Sequence, residues 1–456
     1  MSALTPNDVF AILNRHLLVD GFDMVVDIRK SQGHYLYDSL HQRKYLDLFG
    51  FFATMPIRHN HPELANPSFR EKIGQVALFK PSNSDFYTVE MAEFIDTFSR
   101  VAIPPYLPHL FLISGGALAV ENALKAAMDW KVKKNRAAGE KQVRGHQIIH
   151  FREAFHGRSG YTVSMTNTAD PRKYQYFARF DWPRIINPKL SFPVTRQVLE
   201  EVRKVEAEAV AQIKNVFQRH GRDIAAIIIE PIQCEGGDNH FRGEFLQQLR
   251  VLADENEALL IFDEVQTGVG VTGQMWCHQH FEVRPDLMAF GKKTQICGML
   301  GGARLDEIKD NVFHEPSRIN STWGGSLVDM VRFQKILEII EKEKLVENAR
   351  QQGAYFLREL QRLQDEFPEV IHNVRGAGLL IAFDLPSTEA RSEFLEICAD
   401  LGVIAPSCGH VSVRVRPTLD IGRAEIDEAV RLFRAGVRSL LDRHHQRPKM
   451  LATEES

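Results

Sequence analysis

The sequence predicts an α/β protein: a large domain on a mainly parallel sheet, followed by a smaller C-terminal α+β domain. Three observations predict it. From about residue 105 to 325, short apolar runs alternate with helix-length amphipathic segments, the pattern of a parallel sheet covered on both faces. Near residue 330 the character changes, and long helical stretches flank a glycine-marked strand. Chemically distinctive residues fall at the ends of the apolar runs, where such sheets bind ligands.

The elements follow in order. Thr5-Pro6-Asn7-Asp8 reads as a helix start, with Thr5 as cap, Pro6 in the first turn and Asp8 closing a capping box. Short strands are expected around 35–37 and 44–48, with turn residues between them. Segment 110–113 reads as a strand and 118–134 as a helix. Segment 148–151 is a strand and 198–218 a long polar-rich helix. Segments 225–229, 258–262 and 287–290 are strands. Beyond them, 327–344 and 346–363 read as helices, and 374–383 as a glycine-marked turn into a strand. Helical 389–401, strand-like 411–415 and helical 423–442 follow, and the polar tail 444–456 reads as loose. This divides the chain into an N-terminal segment (1–60) packing with the small domain, a large domain (61–330) and a small domain (331–456).

Composition bounds the function. The chain of 456 residues exceeds one ordinary domain. With 44% hydrophobic and 25% charged residues it is typical of a soluble enzyme. A net charge of −3 argues against a nucleic-acid footprint. No apolar run approaches the roughly 18 residues that a membrane span requires, and the N-terminus has no signal-peptide pattern. Cys234, Cys277, Cys297, Cys398 and Cys408 show no C-x-x-C spacing, so a disulfide framework is not expected and a reducing cytoplasm is the simple reading. Cys277-His278-Gln279-His280 invites a metal, but no second ligand pair at zinc spacing accompanies it, and no metal is expected.

The segment richest in chemistry is Asp263-Glu264-Val265-Gln266-Thr267-Gly268. Asp263 sits where the run 258–262 ends, and Lys292 follows the end of the run 287–290. A carboxylate past one buried strand and a lysine past another suit pyridoxal 5'-phosphate (PLP). The lysine forms a Schiff base, and the aspartate keeps the pyridine nitrogen protonated so that the ring is an electron sink. A strand-end Asp taken alone is more often a loop or helix cap. Lys293 competes with Lys292; in an extended segment neighbours point to opposite faces, so only one can reach the cofactor. Gly115-Gly116-Ala117 precedes a helix, whose N-terminus and small residues favour phosphate, although a bare Gly-Gly is also a simple turn.

DEVQTG (263–268) resembles the signature of the class III aminotransferases, a subgroup of the PLP-dependent enzymes of fold type I. PSNSD (81–85), GGALAVENALKAA (115–127), AFHGRSGYT (154–162), FDWPRI (180–185), FGKKTQ (290–295) and NSTWGG (320–325) are similar to that family in the same order, and the resemblance runs from about Gly33 to about Arg416. It implies that Lys292 is the Schiff-base lysine and Lys293 structural. It implies Gly116 and Ala117 as phosphate ligands, Phe155 stacked on the pyridine ring, Gln266 at its phenolic oxygen and the substrate region, and Glu230 supporting the site from behind. Thr322 would reach the phosphate of a neighbouring subunit, so a homodimer with shared sites is expected. The family has Asn after the two glycines of NSTWGG; here Ser326 stands there.

Arg158 and Arg414 match carboxylate-binding positions, suited to bidentate capture. Glu235 matches a carboxylate that neutralises Arg414 while an amine donor is bound. The motifs are most similar to members acting on the ε-amine of L-lysine. That implies a ping-pong transfer from L-lysine to 2-oxoglutarate, giving 2-aminoadipate 6-semialdehyde and L-glutamate. Ornithine, acetylornithine or 4-aminobutyrate are the alternative donors. A PLP-binding regulator without catalysis is the contrasting class; the intact set Lys292, Asp263, Arg158, Arg414 and Glu235 argues against it.

Overall fold

The computed structural model describes residues 4–454, with side chains to 443. Its centre is a seven-stranded sheet. Across it lie His109–Ile113, Cys297–Gly301, Leu287–Phe290, Leu259–Asp263, Ile224–Ile229, Gln147–Phe151 and Arg184–Ile185. Six strands run parallel; Cys297–Gly301 is antiparallel to both neighbours. The predicted strands and helices of this region are present within a few residues of their expected ends. Cys297–Gly301 went unpredicted, because Gly298 and Gly301 dilute its apolar signal.

Ile224–Ile229 and Leu259–Asp263 are buried along their whole length. Both faces of these strands are covered, so their sequences are continuous apolar runs rather than alternating ones. Ala226, Ile228, Leu259 and Ile261 join the layer formed with Ala119, Ala123, Ala126 and Ala127 of the helix Gly116–Ala137. Their neighbours Ile227, Ile229, Leu260 and Phe262 join the layer formed with the helices Arg196–His220 and Gly243–Glu255. The alternation is the period of two of a strand between two helical layers.

A second, antiparallel sheet orders His372–Ala377, Leu380–Asp384, Ser412–Val415 and Ser407–Cys408. The expected turn into a single strand over 374–383 is instead a hairpin of two strands around Gly378. Gly378 has φ +54, and a Cβ there would lie 2.5 Å from backbone atoms of Val271 and Thr272, so the hairpin tip presses on the chain next to the large sheet. Near the N-terminus, Tyr35–Asp38 pairs with Arg43–Asp47, which also pairs in parallel with Val403–Ile404. Tyr35 Oη donates to Glu428 at 2.6 Å, tying this segment to the last helix. That helix, Arg423–Glu454, extends into the tail expected to be loose, whose last two residues lie outside the described ones. Thr5 N and Oγ1 donate to Asp8 Oδ2 at 2.8 and 2.6 Å, but the box opens a short 3-10 turn, Pro6–Asp8, ahead of Val9–Leu13.

Candidate active site

A cavity of about 340 Å³ opens at the carboxyl ends of the parallel strands, lined among others by Gly116, Ala117, Phe155, Arg158, Asp263, Gln266 and Lys292. One wall is the start of the helix Gly116–Ala137. Its N-cap Gly115 has φ +108 and no side chain caps the first turn. A long helix thus presents free N–H groups and its positive end to the cavity, an arrangement that favours an anion. Gly157, φ +127, lets the Phe155–Arg158 loop close against this helix start; a Cβ there would lie 2.5 Å from Ala117 Cβ.

Asp263, the last residue of its strand, is buried. Its Oδ1 accepts from Val265 N at 3.1 Å, so the capping role is real. Its Oδ2 lies 2.8 Å from His156 Nδ1. Burial alone would lower the His156 pKa, but the Asp263 carboxylate outweighs it and holds the value above the usual one. Behind them Glu230 accepts from Phe155 N at 2.9 Å and Cys234 N at 3.1 Å, fixing the loop that carries Phe155.

The lysines sit in a different conformation from the expected extended one. After Gly291 the chain turns into a 3-10 turn, Lys292–Thr294, with Lys292 at φ 54. This left-handed geometry is costly for a non-glycine residue, roughly 1–3 kcal/mol, and it aims Lys292 into the cavity. Facing it, Gly50, Phe51, Phe52 and Ala53 have φ of 53, 48, 59 and 66, one left-handed turn. Its carbonyls take both ammonium groups: Lys292 Nζ donates to Phe52 O at 3.1 Å and Lys293 Nζ to Ala53 O at 2.9 Å. Lys293 is buried outside the cavity. Burial, then Arg416 and Lys292, push its pKa down to about 7. Burial, then Arg414, also lower that of Lys292, which favours a neutral, reactive amine.

Gln266 connects the cavity to a charged cluster. Arg414, on the strand Ser412–Val415 and buried, donates to Gln266 Oε1 at 3.2 Å and Glu235 Oε2 at 2.8 Å. Lys173 Nζ donates to the other oxygen, Glu235 Oε1, at 2.5 Å. Burial would raise the Glu235 pKa, but Arg414 and Lys173 hold it below the usual carboxylate value. The neighbouring Arg416 is committed to Asp238 at 2.5 Å. Arg158 is exposed at the cavity, and among the described residues no carboxylate pairs with it.

Eight of the eleven sequence-predicted site residues, Glu230 among them, therefore line one cavity, and Arg414 and Glu235 join it through Gln266. Thr322 does not: it is exposed on a separate loop, whose carbonyls at Ser321, Thr322 and Trp323 accept from Ser84, Ser82 and Asn83. Sequence reasoning missed His156, although it stands beside Phe155, and Lys173, which no motif marks. The Cys277–His280 turn uses its histidines internally. His278 Nδ1 lies 2.7 Å from Glu264 Oε1 and its Nε2 2.7 Å from Tyr106 Oη, while His280 Nε2 lies 3.0 Å from Thr272 O.

The cavity fits PLP on its own chemistry: an uncapped helix start for a phosphate, a buried carboxylate for a ring nitrogen, an aromatic wall and an amine of lowered pKa. Comparison with known proteins agrees. The chain is 50% identical over 440 residues to L-lysine-epsilon aminotransferase of Mycobacterium tuberculosis, covering 96% of each. It is 46% identical over 441 residues to that of Streptomyces clavuligerus, again covering 96% of each. A solved structure of lysine aminotransferase from M. tuberculosis, in the internal aldimine form, superposes with a TM-score of 0.94 at 49% identity, covering 96% of this chain and 100% of that one. The family described as aminotransferase class-III matches residues 19–437, and the chain belongs to that family.

Proposed function

We propose that this PLP-dependent transaminase is an L-lysine 6-transaminase, forming 2-aminoadipate 6-semialdehyde and L-glutamate from L-lysine and 2-oxoglutarate. The observation that carries the reading is the pair of arginines at unequal positions. Arg414 is buried and neutralised by Glu235; Arg158 is exposed at the cavity without a carboxylate. L-Lysine reacting at its ε-amine holds its α-carboxylate far from the reacting carbon, at Arg158. No carboxylate then adjoins the reacting carbon, and Glu235 satisfies Arg414. 2-Oxoglutarate brings one carboxylate beside its keto carbon, for Arg414, and a distal one for Arg158. The similarity to lysine aminotransferases supports lysine over ornithine, acetylornithine or 4-aminobutyrate.

PLP supplies an aldehyde carbon for the amine and an electron sink for the bond electrons. The start of the helix Gly116–Ala137 would hold its phosphate and Phe155 its ring face. Asp263, steadied by His156, would keep the pyridine nitrogen protonated. Lys292 would anchor the aldehyde carbon. When free, its own amine would take the proton from the reacting carbon of the amine donor and, in the second half of the turnover, give one to the reacting carbon of the keto acid. Lys293, held at Ala53 O, stays out of the chemistry.

The position of Thr322 outside its own cavity supports a homodimer in which it reaches the phosphate of the other site. The seven-stranded sheet lies within 109–301 and the four-stranded one within 372–415, which supports a division near 330, and the pairing of Arg43–Asp47 with Val403–Ile404 supports an N-terminal segment, 1–60, against the small domain. No helix among the described residues is long and apolar enough to cross a membrane, and the five cysteines are unpaired; both suit the cytoplasm. An amine-donor panel with 2-oxoglutarate, with products identified by mass, tests the reading. Preference for ornithine or 4-aminobutyrate over L-lysine would refute it.

A further inference from the structure

Glu235 is bonded by two cations, and the exchange of substrates at Arg414 employs only one of them. Arg414 Nη2 donates to Oε2 at 2.8 Å and Lys173 Nζ to Oε1 at 2.5 Å. Lys173 ends the short turn Pro171–Lys173, which Asp170 opens by accepting from Arg172 N at 3.1 Å. The preceding side chain, Arg172, is tied back to Asp170 at 2.8 Å and stays in solvent. Lys173 instead turns inward: its side chain is 18% exposed, and its Nζ lies 5.9 Å from the centroid of the Phe155 ring on the cavity wall. Among the described residues Glu235 is its one ion-pair partner.

We propose that Lys173 is a specificity-determining positioning residue: it holds the Glu235 carboxylate whenever a substrate carboxylate occupies Arg414. The proposal rests on the reading of Glu235 as a switch. A glutamate displaced from Arg414 needs another partner, because an unpaired carboxylate in a partly buried site is strongly unfavourable. Lys173 already grips the oxygen that Arg414 does not use. The backbone of Glu235 is fixed, since its carbonyl accepts from Gly409 N at 3.0 Å, so the release requires only side-chain rotation about an existing bond.

Charge counting gives the same direction. Two cations and one anion leave the cluster with one net positive charge. An arriving α-carboxylate then brings it to neutrality. Without Lys173 the cluster is neutral when L-lysine presents its ε-amine and negative when 2-oxoglutarate or L-glutamate binds. Lys173 thus favours the carboxylate-bearing partner of each turnover, whereas Glu235 favours the ω-amine.

The test measures the two half-reactions separately by stopped-flow absorbance of the holoenzyme, with L-lysine and with L-glutamate, for Lys173→Gln, Lys173→Arg, Glu235→Gln and the double Gln variant. Lys173→Gln is expected to raise the apparent Kd for L-glutamate roughly ten-fold or more, the worth of one charge-assisted hydrogen bond, and to affect L-lysine much less. Lys173→Arg should restore the glutamate half-reaction. In the Glu235→Gln background the further effect of Lys173→Gln should be much smaller. Equal loss with both donors, or no rescue by arginine, would overturn the proposal and leave Lys173 a structural ion pair. If Glu235→Gln itself slows both donors equally, the switch fails and the role of Lys173 falls with it. If Glu235→Gln discriminates between donors and Lys173→Gln does not, the switch stands and only Lys173 is misassigned.

Discussion

Replacing Glu235 by glutamine keeps the shape of the side chain and removes its charge. Two charged contacts weaken at once, at 2.8 Å to Arg414 and 2.5 Å to Lys173. Arg414 is 2% exposed, and its Nε has no partner, so its charge depends on these few acceptors. When L-lysine presents its ε-amine, no substrate carboxylate replaces the lost one, and that complex bears the penalty. A hydrogen bond to a charged group is worth about 1.5–3 kcal/mol, or a roughly ten- to hundred-fold slower reaction at about 1.4 kcal/mol per decade. L-Glutamate supplies its own carboxylate and should be spared. The uncovered Arg414 should also capture the α-carboxylate of L-lysine, bringing the α-amine to the reacting position. Stopped-flow traces with each donor measure the asymmetry, and mass analysis of the keto product shows whether the α- or ε-amine was removed. Equal slowing with both donors, and no α-derived product, would refute the switch.

Lys292→Ala should fold yet lose covalent fixation of the cofactor by borohydride, with peptide mapping of the parent enzyme placing the label on Lys292; a label on Lys293 would reverse the assignment. Asp263→Ala should retain PLP but lose turnover by orders of magnitude, read as kcat against bound cofactor. Thr322→Ala should weaken PLP retention by about 1.5–3 kcal/mol, and mixing it with Lys292→Ala subunits should recover activity in verified heterodimers if the threonine acts on the opposite site. Lys293 tests pH dependence. Its pKa falls from 10.5 in the unfolded chain to about 7 when folded. Above pH 7 the unfolded state therefore binds more protons, and this group makes stability rise up to about pH 10.5, with a slope of at most about 1.4 kcal/mol per pH unit. Denaturant unfolding of the holoenzyme at pH 7 and 9 should show that rise, and Lys293→Met should flatten it.

The parts of the site legible in the sequence are those whose signal is local. Ile224–Ile229, Leu259–Asp263 and Leu287–Phe290 are covered on both faces, so each reads as an unbroken apolar run and its end marks the edge of the sheet. That places Asp263 and Lys292 at the ligand-binding side, and Gly115-Gly116 at a helix start, before any contact is known. The resemblance adds Phe155, Arg158 and Gln266, which lie within the contiguous motifs AFHGRSGYT and DEVQTG, and matches Arg414 and Glu235 one position at a time. The hairpin at Gly378 and the strand Cys297–Gly301 escaped because their glycines read as turns, while their pairing partners decide that they are strands.

By itself, then, the sequence determined the α/β architecture, the strand ends and the residues standing there, since burial on both faces and helix starts imprint a short-range pattern. The tertiary structure alone decided which polar groups meet. Asp263 finds His156 across 107 positions, Glu235 finds Lys173 across 62, and Arg414 finds Gln266 across 148. Lys292 leaves an extended path for a left-handed one against a turn 240 positions away. Such pairings follow from the path of the chain between them, and a charged side chain carries no periodicity that names its partner; only the packing that removes water from both sets which carboxylate each cation must find.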